Sequence, residues 1–162
     1  MLCPAGYIAS MERVRPPSDG VEDVDVLFYG SMNERRREIL DALKAAGLAV
    51  QWLYGVYGEE RDRWIARSKV VLNLHFYEDP VFEIVRVSHL LANRKCVVSE
   101  DGGIDPGLED FAARACVLVG REQIVSACVD LCMDVRSREA AAERGYEACK
   151  QIDLVENVRR AL

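Results

Sequence analysis

Residues 69–100 read KVVLNLHFYEDPVFEIVRVSHLLANRKCVVSE. The opening KVVLNLHF (69–76) is β-branched and apolar through its first half, as in a buried strand. FEIVRVSHLLAN (82–93) changes to helical spacing, with Phe82, Val85, His89 and Ala92 on one face. KCVVSE (95–100) returns to a strand. Strand, helix and strand in this order make a βαβ unit, whose right-handed crossover leaves the two strands parallel.

The same alternation extends in both directions. Upstream lie VDVLFYG (24–30, strand), NERRREILDALKAAG (33–47, helix), LAVQWLYG (48–55, strand) and EERDRWIARS (59–68, helix). In the first helix Ile39, Leu40, Leu43 and Ala46 share a face, Asn33 is the N-cap and Gly47 closes the C-terminus. Downstream, the loop DGGIDPG precedes a short helix LEDFAAR and the strand ACVLVG (115–120). REQIVSACVDLCMD (121–134), SREAAAERGYEACKQ (137–151) and DLVENVRRAL (153–162) read as helices. Five parallel strands between helices predict an α/β fold, a three-layer α/β/α Rossmann-like sandwich. Of the two common strand orders, 3-2-1-4-5 and 2-1-3-4-5, the second is expected here, because it brings together the loops richest in polar residues. Residues 1–23, punctuated by Pro4, Gly6, Pro16, Pro17 and Gly20, read as a lead-in or linker to one domain over 24–162.

Composition bounds the function. The chain has 162 residues, half of them apolar and 30% charged, which suits one folded domain. Its net charge of −6 argues against non-specific nucleic-acid binding while leaving room for a local basic pocket. No apolar run reaches a membrane span, and MLCPAGYIASMERVR lacks the pattern of a signal peptide. The cysteines at 3, 96, 116, 128, 132 and 149 form no CxxC pair, and with two histidines a metal site is not expected. They read as buried reduced thiols of a cytoplasmic protein. A Cys128–Cys132 bridge within one helix has the wrong geometry.

Two loops carry the candidate chemistry. In YGSMNERRRE, after the first strand, Gly30 permits close approach of a ligand to the backbone, and Ser31 and Asn33 offer hydrogen bonds to an oxyanion. Arg35, Arg36 and Arg37 point three ways, so one or two of them reach a phosphate, or all sit on a solvated first turn. In LNLHFYEDPVFEIVR, after the third strand, Asn73, His75, Tyr77, Glu78, Asp79, Glu83 and Arg86 crowd together. Glu83 and Arg86 share a helical face, either as a carboxylate for a ribose diol beside a guanidinium for a diphosphate, or as a surface ion pair. His75 reads as a base or ligand contact, or as a structural histidine; His89 reads as core. Tyr54 and Tyr57 either line the same cleft or pack. The acidic loop after the fourth strand, with Ser99, Glu100, Asp101, Gly102 and Gly103, suits sugar hydroxyls better than phosphate.

DVLFYGSMNERR, SKVVLNLHFYE and FEIVRVSHLLANRKCVVSE together resemble the C-terminal half of a GT-B glycosyltransferase. They are most similar to the bacterial family 1 or spore-protein-like group, over residues 24–120. The resemblance implies a domain of hexosyltransferase type that binds a nucleotide sugar, UDP- or GDP-linked, and needs no further cofactor. It places Gly30 and Ser31 at the diphosphate, one of Arg35 and Arg36 on a phosphate, and Glu83 at the ribose or sugar with Arg86 nearby. It departs from the family pattern at the second carboxylate of the helix, where His89 stands, and at Asn93-Arg94-Lys95-Cys96 in place of a Gly-Thr-Pro turn. A GT-B enzyme has two such halves. The implied partner is therefore an N-terminal acceptor-binding domain or partner chain, without which transfer is slow or absent. The rival expectation is a non-catalytic flavodoxin-like binding or interaction module.

Overall fold

In the computed structural model, residues 6–152 are described, with 155, 158 and 159. Cys3 and the helix expected over 153–162 lie outside the described residues, those three positions apart. Five strands, β1 (Val24–Tyr29), β2 (Val50–Leu53), β3 (Ser68–Asn73), β4 (Cys96–Glu100) and β5 (Val117–Val119), alternate with helices. The helices are α1 (Glu34–Ala45), α2 (Gly58–Arg67), α3 (Ile84–Ala92), α4 (Glu109–Ala115), α5 (Ile124–Met133) and α6 (Val135–Lys150). The strands form one parallel sheet in the order β2-β1-β3-β4-β5, as expected.

The strands read as apolar runs because both faces of the sheet are covered. Leu27, Val71 and Val97 face one way, toward Ile65 of α2, Val87 and Leu90 of α3 and Phe111 of α4. Val26, Phe28, Val70, Leu72 and Val98 face the other, toward Ile39 and Leu43 of α1 and Ile124 and Leu131 of α5. Fully burying each of these side chains contributes about 1.5–3 kcal/mol before chain entropy is set against it. Five cysteines among the described residues are buried free thiols. No described helix is long and apolar enough to cross a membrane.

Three local readings need correction. β3 ends at Asn73, so Leu74 and His75 are buried in the connection that follows rather than in the strand. The segment 121–134 opens as a 3-10 turn, Arg121–Gln123, before α5 begins. On α3 the inward face is Val87, Ser88, Leu90 and Leu91; Val85 is exposed and His89 lies at the margin. This helix is apolar on most sides, so periodicity alone cannot select the face that packing selects.

The lead-in is held against the domain. Ala9–Met11 form a 3-10 turn. The Asn93 amide at the end of α3 accepts from Val14 N–H at 2.9 Å and donates to the Met11 carbonyl at 2.8 Å. Tyr7 N–H donates to the Ile152 carbonyl at 2.7 Å.

Candidate functional site

A cleft of about 460 Å³ opens beyond the carboxyl ends of β1, β2 and β3, the point where the strand order reverses. Gly30 and Ser31 form its floor after β1. Leu53 to Tyr57 form a wall after β2, and Phe76, Tyr77, Glu83 and Arg86 close it from the β3–α3 side. Arg36 and Arg61 complete it from α1 and α2.

Gly30 has φ +137°, a conformation that side chains rarely adopt, and a Cβ built there lies 3.1 Å from Arg86 Nη2. Its missing side chain is therefore what lets the Arg86 guanidinium stand over the end of β1. The turn is fixed from outside: Gly30 N–H donates to the Leu53 carbonyl at 3.0 Å, and Trp52 Nε1 donates to the Gly30 carbonyl at 2.9 Å.

Arg86 has unmet hydrogen-bonding capacity. Nη2 pairs with Glu83 Oε2 at 2.8 Å, and the guanidinium carbon lies 5.0 Å from the centre of the Tyr29 ring. Nη1 is buried without a hydrogen-bond partner among the described residues. A buried guanidinium N–H left unsatisfied is costly, and an anion accepting from it removes that cost. Glu83 stands one residue before α3, its Oε1 3.4 Å from Arg36 Nη2, and it remains partly exposed to the cleft.

Arg36 is buried and engaged. Nε donates to the His75 carbonyl at 3.2 Å, Nη1 to the Ser31 carbonyl at 2.8 Å and Nη2 to the Leu74 carbonyl. Its guanidinium also lies against the Phe28 and Phe76 rings. Burial, then the charge of Arg86, pulls it below the usual arginine range. It ties the β1–α1 turn to the β3–α3 connection and lends its charge to the cleft.

The remaining residues singled out in the sequence do not line the cleft. Arg35 forms a two-pronged ion pair with Glu100, which also accepts from His75 N–H at 3.1 Å. Burial pushes the Glu100 carboxyl up, but Arg35 and the His75 N–H outweigh it and hold it below the usual range. Glu100 thus braces α1 and the β3–α3 connection. Asn33 caps α1, accepting from Arg36 N–H at 2.9 Å, and donates to the Phe76 carbonyl. Asn73 is buried, donating to Ser99 Oγ at 3.0 Å. Both ring nitrogens of the buried His75 lie 3.2 Å from carbonyl oxygens, those of Val81 and Asp101. Arg37 is exposed beside Glu34.

Of the two alternatives for Tyr54 and Tyr57, the structure has the first: both stand at the rim of the cleft, the latter 77% exposed, rather than packing. Sequence reading missed Arg61, which lines the cleft from α2. Its signal was there to find: residues 61 and 62 share a helix face with the buried Ile65 and Ala66, so two charged side chains occupy inward positions. Arg61 Nη2 donates to Asp62 Oδ1 at 2.9 Å and lies 3.3 Å from His89 Nε2, which is 3.2 Å from the same carboxylate oxygen. His89, expected in the apolar core, belongs instead to this polar network. Burial and the charge of Arg61 pull it below its ordinary 6.5, against the bond to Asp62.

Among the described residues no group of three His, Cys, Asp or Glu side chains is placed to hold a metal ion. No protein-family model matches the chain. By sequence it is similar to uncharacterized proteins L138 and L137 of Acanthamoeba polyphaga mimivirus. It is 39% identical to L138 over 90 residues and 38% identical to L137 over 88 residues. The matches cover 54% and 53% of this chain, but only 10% and 12% of those proteins. These relatives are viral, whereas the resemblance pointed to a bacterial group. By structure it is similar to HepE of Anabaena, solved with UDP and glucose (TM-score 0.70, 14% identity, 96% of this chain and 54% of that one). It is also similar to sucrose-phosphate synthase of Thermosynechococcus elongatus (0.67, 15%, 99% and 50%) and to the glycosyltransferase WaaG (0.65, 15%, 99% and 54%). The fold is that of a Rossmann-like glycosyltransferase domain, and the chain spans about half the length of these structures.

Proposed function

We propose that the cleft binds the diphosphate of a nucleotide sugar and that the chain is the donor-binding part of a GT-B hexosyltransferase. The observation that carries this reading is Arg86. It lines a cleft at the reversal of strand order, its Nη1 is buried without a partner among the described residues, and the missing side chain of Gly30 is what leaves room for its guanidinium. That HepE was solved with UDP-glucose supports the same ligand class.

In glycosyl transfer the bond between the anomeric carbon and the diphosphate oxygen breaks, and negative charge collects on the departing phosphate. Arg86 is set to stabilise that charge with two N–H donors, and Arg36 adds a fixed positive field. Glu83 holds the Arg86 fork in place and keeps an exposed edge for a hydroxyl of the ribose or sugar. The acceptor and the base that takes its proton come from the acceptor-binding domain or partner chain. The setting is the cytoplasm, where nucleotide sugars are available and the thiols stay reduced.

Thermal shift with UDP, GDP and ADP and their sugars tests this. A ligand at a hundred times its Kd stabilises the native state by about 2.7 kcal/mol. One nucleotide series should raise the melting temperature, and Arg86→Ala and Glu83→Ala should abolish the rise. No shift with any nucleotide, or an equal shift in Arg86→Ala, would contradict the proposal.

A further inference from the structure

We infer that Arg61 is a second anion contact of the same cleft, and that with Arg86 it makes the cleft select a diphosphate over a monophosphate. The inference rests on the nucleotide reading above and adds to it a residue and a selectivity.

Arg61 and Arg86 belong to different helices, α2 and α3, yet both guanidinium carbons stand near one aromatic ring. They lie 5.8 and 5.0 Å from the centre of Tyr29, at the carboxyl end of β1. Tyr29 is itself a cleft residue, so both cations border the same space from neighbouring helices. Each fork carries its own set of N–H donors, enough for one phosphate apiece. Two linked phosphates give each fork its own oxygens.

The charge balance agrees. Asp62 is the carboxylate beside Arg61, and it also accepts from Arg13 Nε at 2.9 Å. Burial pushes the Asp62 carboxyl up, but the bonds from Arg61 and His89 outweigh it and keep it ionised. Asp62 is thus held between Arg61 and Arg13, and both Asp62 and Arg13 lie outside the lining of the cleft. On the other side Glu83 likewise stands against Arg36 and Arg86. The lining of the cleft therefore carries Arg36, Arg61 and Arg86 against Glu83, a surplus of positive charge that suits a diphosphate.

Arg61 also has capacity for a ligand. Nε and Nη2 are held by Asp62, which fixes the plane of the fork, and Nη1 makes no hydrogen bond among the described residues. The fork is thus oriented before a ligand arrives, which lowers the entropy cost of binding it.

Calorimetric titration of UDP, UMP, GDP, GMP, ADP and AMP into the chain, Arg61→Gln, Arg61→Lys and Arg86→Ala tests the inference. For the base that binds, Arg61→Gln should weaken the diphosphate by about tenfold or more and leave the monophosphate nearly unchanged, so that their ratio collapses. Arg61→Lys keeps the charge and should restore part of the ratio. Equal losses for both ligands, or no loss in either variant, would overturn the role of Arg61 while Arg86→Ala still abolished binding. If the unaltered chain binds none of the six, the nucleotide reading fails and this inference fails with it.

Discussion

At the scale of residues, the proposed site turns on Arg86. It stands where Gly30 has no side chain, and its Nη1 is buried without a hydrogen-bond partner among the described residues. Gly30→Ala should therefore cost about 1 kcal/mol or more from its positive φ, and should displace Arg86 Nη2 from its place 3.1 Å from the new carbon. A lower melting temperature together with lost nucleotide affinity is the expected outcome; unchanged affinity would separate the two residues. His89 gives a second prediction, for pH. Its folded-state affinity for a proton is below the ordinary 6.5, so the unfolded chain takes up the proton first as pH falls. Its stabilising contribution is present above 6.5 and is lost as pH falls below it toward the lower folded value. Urea unfolding at about pH 7.5 and about pH 5.5 should show that loss, and His89→Gln should reduce it. An identical pH dependence in the variant would show that His89 carries none of it. The triple arginine was legible as unusual but not as to role. Successive helix positions turn by about 100°, so 35, 36 and 37 had to differ. Which one met carbonyls, which met Glu100 and which met water depended on partners remote in sequence.

At the scale of elements, the strands were legible because parallel strands covered on both faces are apolar runs, and the helices because their caps and spacing mark them. The loops were less so. The β4–α4 loop looked like a ligand loop, yet it is locked to the β3–α3 connection. Phe82 N–H donates to the Gly103 carbonyl at 2.9 Å, and a Cβ on Gly103 would lie 2.1 Å from the Pro80 carbonyl oxygen. Acidic and glycine residues suit either role, and the sequence carries no trace of Pro80 being opposite. Gly103→Ala should thus lower the melting temperature far more than Gly107→Ala. Both have positive φ, but the second meets nothing within 4 Å. Thermal melts of the two variants decide it, and equal losses would show that the close approach is unimportant.

At the scale of the molecule, the chain has the fold of a glycosyltransferase domain and about half the length of the structures it resembles. The lead-in belongs to this scale too, since Asn93 and Asp62 bind it on the α2–α3 side and Arg13 reaches the network behind Arg61. Deleting residues 1–15 should lower stability by a few kcal/mol, about the sum of several net hydrogen bonds and the packing of Tyr7 and Val14. Denaturant unfolding checks this, and an unchanged midpoint would mark the segment as a mere tether. The central claim is that Arg86 anchors a nucleotide diphosphate in the cleft at the strand reversal. Calorimetric titration of UDP, GDP and ADP into the unaltered chain and into a folded Arg86→Ala variant tests it most directly. The account predicts saturable one-to-one binding of one of these nucleotides and none in the variant. Absence of binding by all of them, or undiminished binding to Arg86→Ala, would contradict it.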